Sequence, residues 1–254
     1  MPIISVITPV FDGGDAYLAD TYESVASQRL PDGWSLQWCV QEDGKTGKPL
    51  NRLPDLPWIS KDAGRCGGAA RARTLALPRA EGLLVRTLDA DDLFPDEHTL
   101  ARDIEALAAS PDLGWTVAPA LDLYPDGRLV PGPNDPPPGR LPAGFLADGL
   151  RAGSLPVMGT TATIYKELVL AHGGWPAIPA FEDVGPLLAA EAVVDGWMQE
   201  KPGEIYRKHP GQSTEEPEYK DDAERATRIG IVLSRADAIR SLGWRWQPRE
   251  PVTV

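Results

Sequence analysis

Three carboxylates leave one short apolar run together: Leu83-Leu84-Val85-Arg86-Thr87-Leu88 is followed by Asp89-Ala90-Asp91-Asp92. Like charges at that density cost energy unless something compensates. A hard divalent cation does so, because magnesium and manganese take oxygen ligands, often one or two carboxylates plus substrate phosphates. Such an ion neutralises a departing diphosphate. The same residues suit a plainer role, with Asp92 or Asp96 capping a helix over Asp96 to Ala109. A phosphatase reading of Asp-x-Asp is weakened because Asp92 and Leu93 follow. On this segment alone the metal and cap readings both stay open. A second acidic group, Glu42-Asp43-Gly44, also follows an apolar run, with a simple turn as its plain alternative.

These groups need a scaffold, and the chain supplies an alternating pattern. Ile3 to Thr8 reads as a buried strand ended by Pro9. Asp15 to Gln28 puts Leu18, Tyr22, Val25 and Ala26 on one helical face, with Asp15 as its cap and Pro31-Asp32-Gly33 as the turn after it. Trp34 to Val40 reads as a strand, Trp58-Ile59 as a short one, Gly68 to Leu77 as a helix, Leu83 to Leu88 as a strand and Asp96 to Ala109 as a helix. This β-α-β-β-α-β order predicts an α/β domain with a mainly parallel central sheet flanked by helices, and ligands at the C-terminal strand ends. Both acidic groups fall there.

The second half is less regular. Trp115 to Ala118 and Arg128 to Val130 read as strands around a Tyr124-Pro125-Asp126-Gly127 turn. Pro131 to Pro142 is too rich in Pro and Gly for a regular element and reads as a loop or lid. Val157 to Tyr165 reads as a strand and Lys166 to His172 as a helix stopped by Gly173-Gly174. A helix is expected over Asp183 to Trp197, a strand over Ile205 to Lys208, and a C-terminal helix over Pro217 to Leu242. One domain is expected over 1–254, with a ligand-binding half (1–112), a second half (113–216) and a C-terminal helix and tail (217–254).

Charge narrows the partners. Among 254 residues, 25 Lys and Arg against 37 Asp and Glu give 25 − 37 = −12. That argues against nucleic acid and anionic membranes, which need clustered cations. A phosphorylated ligand remains open if a metal or local arginine supplies positive charge. Cys39 and Cys66 form no disulfide or zinc pattern. No basic leader and no ~20-residue apolar span appears, so the sequence predicts a cytoplasmic protein without a transmembrane segment.

Seven segments in order resemble the inverting family 2 glycosyltransferases of the nucleotide-diphospho-sugar transferase (GT-A) fold. They are Ile4 to Asp12, Glu23 to Gln28, Glu42-Asp43-Gly44, Gly68-Ala69-Ala70-Arg71 and Leu88 to Asp92, then Gly173-Gly174-Trp175 with Phe181-Glu182-Asp183, and Tyr206 to Ser213. The resemblance covers roughly residues 3 to 214. It implies a metal-dependent transferase moving sugar from a UDP- or dTDP-sugar to a soluble acceptor, such as a small natural product or sugar intermediate. A homo-oligomer stays open. A non-catalytic sugar-nucleotide-binding protein is one alternative. A nucleotidyltransferase is another, disfavoured because Phe11-Asp12-Gly13-Gly14-Asp15 is acidic where a basic phosphate loop is expected.

The resemblance also implies roles. Thr8 and Asp43 contact base and ribose, with Asp43 accepting from a uracil or thymine ring N–H, a match of acceptor to donor. Pro9 and Phe11 wall the base. Arg71 lies near the diphosphate or base, with Arg65 and Arg73 competing for that role. Asp89 holds sugar or ribose hydroxyls, Asp91 is the main ligand to Mn2+ or Mg2+, and Asp92 orients Asp91 or meets the sugar. His209 is the second metal ligand. Asp183 is the general base and Glu182 the alternative base. Trp175, Trp197 and the Pro131 to Pro142 loop are candidates for the acceptor wall. Glu42 stands where the family has Asp, which leaves its ribose contact open.

Overall fold

The computed structural model describes residues 1–132, 134–215 and 217–254. The first half alternates as expected: β1 (Ile3–Val10), α1 (Leu18–Ala26), β2 (Ser35–Asp43), β3 (Ile59–Gly64), α2 (Ala69–Ala76), β4 (Leu84–Thr87) and α3 (Thr99–Ala109). The second half holds β5 (Trp115–Val117), β6 (Ala120–Leu123), β7 (Leu129–Pro131), β8 (Gly139–Leu141), α4 (Phe145–Arg151), β9 (Thr163–Tyr165), α5 (Lys166–Ala171), α6 (Val184–Glu191), β10 (Gly196–Met198), β11 (Glu204–Arg207), α7 (Pro217–Lys220) and α8 (Asp222–Ser241).

Eight strands form one sheet in the order β3-β2-β1-β4-β9-β5-β10-β8, and β11-β6-β7 form a second, small sheet. Strands β3, β2, β1 and β4 are parallel; β9 runs antiparallel to both its neighbours. β1 and β4 are buried almost throughout, which is why they read as mainly apolar runs without alternation. The strand order turns back at β1 and β4, so the crevice for a ligand opens beyond their C-terminal ends.

Polar ties position the loops at that crevice. The Thr21 hydroxyl of α1 sits 2.8 Å from the Ala90 carbonyl and 3.0 Å from that of Asp92, fastening the loop after β4. Gln28 spans to the start of α3, donating to Asp96 O at 2.7 Å and accepting from Leu100 N at 3.1 Å. Under the loop, fully buried Arg86 donates to the carbonyls of Thr161 and Gly203 and lies 3.6 Å from both Asp103 and Glu204. One side chain thereby joins β4 to the second half.

Several expectations need correction. Asp15 does not cap α1; it pairs with Arg52. The helix expected over Asp183 to Trp197 stops at Glu191, and Trp197 belongs to β10. A Cβ at Gly196, where β10 begins, would run into the Trp115 ring, so only glycine fits there. Within Pro131 to Pro142, Pro131 ends β7 and Gly139–Leu141 pairs with β10, so the stretch is partly strand. Pro133 of that stretch, and Glu216 at the edge of the second half, lie outside the described residues. Val157 to Tyr165 is a 3-10 turn before a three-residue strand, and α4 and β6 were not expected. Among the described residues no helix is long and apolar enough to cross a membrane.

Beyond α8 the chain returns beneath the sheet. Trp246 packs on Tyr165, ring centroids 4.8 Å apart, and Val252 N–H donates to the Tyr165 hydroxyl at 3.0 Å. Trp34 Nε1 donates to Thr253 O at 2.8 Å, and the next residue, Ser35, donates its N–H to Pro2 O at 3.0 Å.

Candidate active site

A cavity of about 750 Å³ opens at the C-terminal ends of β1, β2 and β4. Pro9, Phe11, Asp43, Asp89, Asp91, Glu182, Asp183 and His209 all line it, although they come from widely separated parts of the chain. Three of the expected residues do not. Thr8 is fully buried and its Oγ1 accepts from Trp38 Nε1 at 2.8 Å, so it braces β1 on β2. Asp92 is 1% exposed, and its Oδ1 accepts the Arg207 N–H at 2.9 Å. Arg71 packs over Gly67, away from the lining; Arg73 takes the place in the cavity wall. The two positions lie about 200° apart around the helix axis, so only one can face the crevice.

The loop after β4 meets β11 edge-on. Leu93 and Ile205 exchange backbone hydrogen bonds at 3.1 and 2.8 Å, and Arg207 Nε donates to Asp91 O at 2.9 Å. Arg207 also lies 4.3 Å over the Tyr17 ring. This clamp carries the following His209 to Asp91, with Nε2 2.8 Å from Oδ2. Tyr17 flanks the imidazole, ring centroids 5.0 Å apart. Burial pushes the Asp91 carboxyl up, the Asp89 charge adds to this, and the His209 hydrogen bond opposes it.

The donor set of Asp91 and His209 suits a divalent cation. One carboxylate and one imidazole on the wall of a cavity leave the remaining positions for water and phosphate oxygens, a set that manganese accepts more readily than magnesium, which favours oxygen ligands throughout. Among the described residues no three His, Cys, Asp or Glu side chains converge as a closed cage.

Across the cavity lies an ion-paired triad. Arg73, 1% exposed, donates from Nη1 to Glu182 Oε1 at 2.6 Å and from Nη2 to Asp89. It thereby ties the strand-end acid to the acidic pair before α6. Burial works against the Arg73 charge, but Asp89 and Glu182 outweigh it, and the pKa moves up. Glu182 is committed to this pairing. Asp183 makes no capping bond to its helix and faces the cavity. Burial, then the charge of Glu182, push its carboxyl up to about 7 against the pull of Arg73. A Cβ at Gly159 would collide with this carboxylate, so the glycine leaves the space it occupies.

At the other end, Asp43 Oδ1 and Oδ2 accept the N–H groups of Gly67 and Gly68 at 2.7 and 2.9 Å, where α2 begins. A carboxylate keeps further lone pairs for a ligand. Glu42 is fully buried and accepts from Thr46 and Gly47, so it shapes the loop and does not reach the cavity. Trp175 is 6% exposed in the core; neither it, Trp197 nor any described residue of 131–142 lines the cavity. Tyr17, Phe181 and Tyr219 do line it. The sequence assigns them no role: Tyr17 and Tyr219 stand outside the motifs, where isolated aromatics look the same as core residues, and Phe181 enters only as the residue before the acidic pair.

No family model matches the chain. It is 29% identical over 137 residues to the uncharacterised protein y4gI of Sinorhizobium fredii, covering 51% of this chain and 13% of that protein. It is 32% identical over 120 residues to the O-antigen biosynthesis protein RfbC of Myxococcus xanthus, covering 44% of this chain and 9% of that protein. The chain thus spans about a tenth of the length of the curated relatives it matches. Among solved structures, S. aureus TarS 1–349 in complex with UDP-GlcNAc superimposes with a TM-score of 0.70 at 18% identity, covering 95% of this chain and 71% of that one. The mannosyltransferase PcManGT from Pyrobaculum calidifontis, in complex with GDP-Man and Mn2+, gives 0.58 at 21% identity, covering 96% and 65%. The chain has the α/β fold of these GT-A proteins, a large, mainly parallel sheet flanked by helices.

Proposed function

We propose that this chain is an inverting glycosyltransferase that moves the sugar of a UDP- or dTDP-sugar to an acceptor hydroxyl. The observation that carries the reading is one cavity holding the Asp91–His209 pair and, across Arg73, a carboxylate raised to about 7. The solved neighbours support it, since the TarS structure holds UDP-GlcNAc and the mannosyltransferase holds GDP-Man with Mn2+. The match to an O-antigen biosynthesis protein points the same way.

Asp43, Pro9 and Phe11 form the base end, with Asp43 accepting from the ring N–H. Asp89 accepts from donor hydroxyls on its free lone pairs. Asp91 and His209 would hold Mn2+ or Mg2+, which would supply positive charge for the leaving diphosphate. Asp183 takes the acceptor proton as the acceptor oxygen bonds to the anomeric carbon. The bond from that carbon to the diphosphate oxygen breaks, and the electron pair leaves with the nucleoside diphosphate. A base with a pKa near the working pH is efficient, because it is ionised yet still basic. Glu182 is a holding group here, because its carboxylate is occupied by Arg73.

A thermal-shift panel of nucleotides and sugar nucleotides, with and without MnCl2, tests the donor assignment. UDP or dTDP should stabilise the protein only when the metal is present. Indifference to every nucleotide would sink the reading.

A further inference from the structure

Three aromatic rings line the cavity wall on the side of Asp183. Phe181, Tyr206 and Tyr219 line it, with Met158 and Pro179 beside them. Phe181 has φ 65°, and among the described residues it is the only non-glycine with positive φ. That conformation is strained for a bulky residue, and such strain gathers at ligand sites. It fixes an aromatic ring immediately before the acidic pair. Tyr206 is held from below, with its hydroxyl 3.2 Å from Thr214 Oγ1. Burial, then the charges of Asp183 and Glu182, push the Tyr219 phenol up, so a neutral hydroxyl stands beside the two acids.

Charge is distributed to match. Arg73 is the one Lys or Arg among the described lining residues, and both its Nη atoms rest on carboxylates. At the rim, Lys208 lies 4.1 Å over the Tyr206 ring and pairs with Asp122, and Lys220 pairs with Glu215. The Arg225 guanidinium sits 5.9 Å from the Phe181 ring centroid, and the Arg228 guanidinium, which donates to Tyr219 O at 2.8 Å, lies 5.4 Å from the Tyr219 ring centroid. An anionic acceptor would therefore bring its charge towards Glu182 and Asp183, with the lining cation already committed.

Resting on the glycosyltransferase reading, we propose that the acceptor is an uncharged, hydroxyl-rich unit, a sugar or polyol. It lays an apolar C–H face on Phe181, Tyr206 and Tyr219 and presents a hydroxyl to Asp183. The rings supply flat apolar area and the neutral phenols supply hydrogen bonds, the combination that suits such a face. Selection against a charged analogue comes from the carboxylates it would meet, Asp183 first, with Arg73 already held by Asp89 and Glu182.

Nucleoside diphosphate release, measured above the acceptor-free rate, tests this with a matched set: methyl glucoside, its 6-phosphate and methyl glucuronide. The donor is whichever sugar nucleotide stabilises the protein with MnCl2. The neutral glycoside should accelerate release, and the two anions should show a kcat/KM at least roughly tenfold lower at moderate salt. Tyr219→Leu should raise the neutral acceptor's KM by about tenfold with the donor KM unchanged, as expected for a lost aromatic platform. Retained stabilisation by the sugar nucleotide reports that the variant is folded. Anions that match or surpass the glycoside overturn the inference, as does a neutral probe without effect or a Tyr219→Leu variant with unchanged acceptor KM. If no sugar nucleotide stabilises the wild-type chain, the transferase reading itself fails. If one does and the anions win, only the acceptor assignment falls.

Discussion

Replacing Asp183 with asparagine should destroy transfer and, at neutral pH and above, stabilise the fold. The carboxyl moves from 3.8 to about 7, with burial as the largest cause and the Glu182 charge next. A group whose pKa is higher folded than unfolded holds its proton more tightly in the native state. Its cost is nil below 3.8, grows as pH rises towards about 7, and is constant above that. Each unit in that window is worth about 1.4 kcal/mol, so the full shift is an upper bound of about 4 kcal/mol. Water in the cavity screens part of this. Asparagine keeps the shape without the charge. Urea unfolding at about pH 4.5, 6 and 8 should show a small gain for Asp183→Asn at the lowest value and the largest at the highest. Glu191, itself pushed up to about 7 by burial, titrates in both proteins and cancels in the difference. Wild-type transfer should rise with pH through about 7, because the base acts when deprotonated. Transfer by the variant should fall by roughly 10²- to 10⁴-fold with UDP binding kept. A stability gain that does not change with pH, or a loss at pH 8, would refute the placement of a desolvated carboxylate there.

Three further outcomes follow from the packing. Gly159→Ala puts a methyl against the Asp183 carboxylate, so transfer should drop sharply for a stability loss of about 1–3 kcal/mol, read by urea unfolding and turnover together. Arg86→Met leaves buried Asp103 and Glu204 without their guanidinium and should cost about 3–5 kcal/mol in the same unfolding experiment. Trp246→Ala removes the ring packed at a tilt on Tyr165, outside the cavity lining. It should cost about 3–5 kcal/mol while leaving the KM for a sugar nucleotide unchanged.

The first half of the fold was legible because its strands are buried on both faces and its helices show one apolar stripe. The β1–α1–β2 and β4–α3 segments emerge within a few residues of where the pattern puts them. The second half was harder to read for a physical reason: β5, β8, β9 and β10 have three residues each, too few for a period to show. Val193 and Val194 continue an apolar helical pattern, although the helix ends at Glu191. At the site, Asp43, Asp89, Asp91, Glu182 and Asp183 converge, while the Asp92 carboxylate turns inward to the Arg207 N–H and Glu42 is held by Thr46 and Gly47. Arg73 and Arg71 have the same chemistry in sequence, and the rotation of α2 against the sheet decides between them. Tyr219 carries no sequence signal, and Phe181, although it opens the Phe181-Glu182-Asp183 segment, shows its place in the cavity wall only through its backbone twist.

The backbone bonds around Trp34 and Ser35 bring the two ends of the chain to neighbouring anchors, Pro2 on one side and Thr253 on the other. A domain built this way behaves topologically as a nearly closed ring. Its ends could be joined by a short linker and reopened at an exposed turn such as Asp126-Gly127 without dismantling the sheet. The same geometry lets such a unit sit within a longer polypeptide, entering and leaving at one point on the face opposite the cavity.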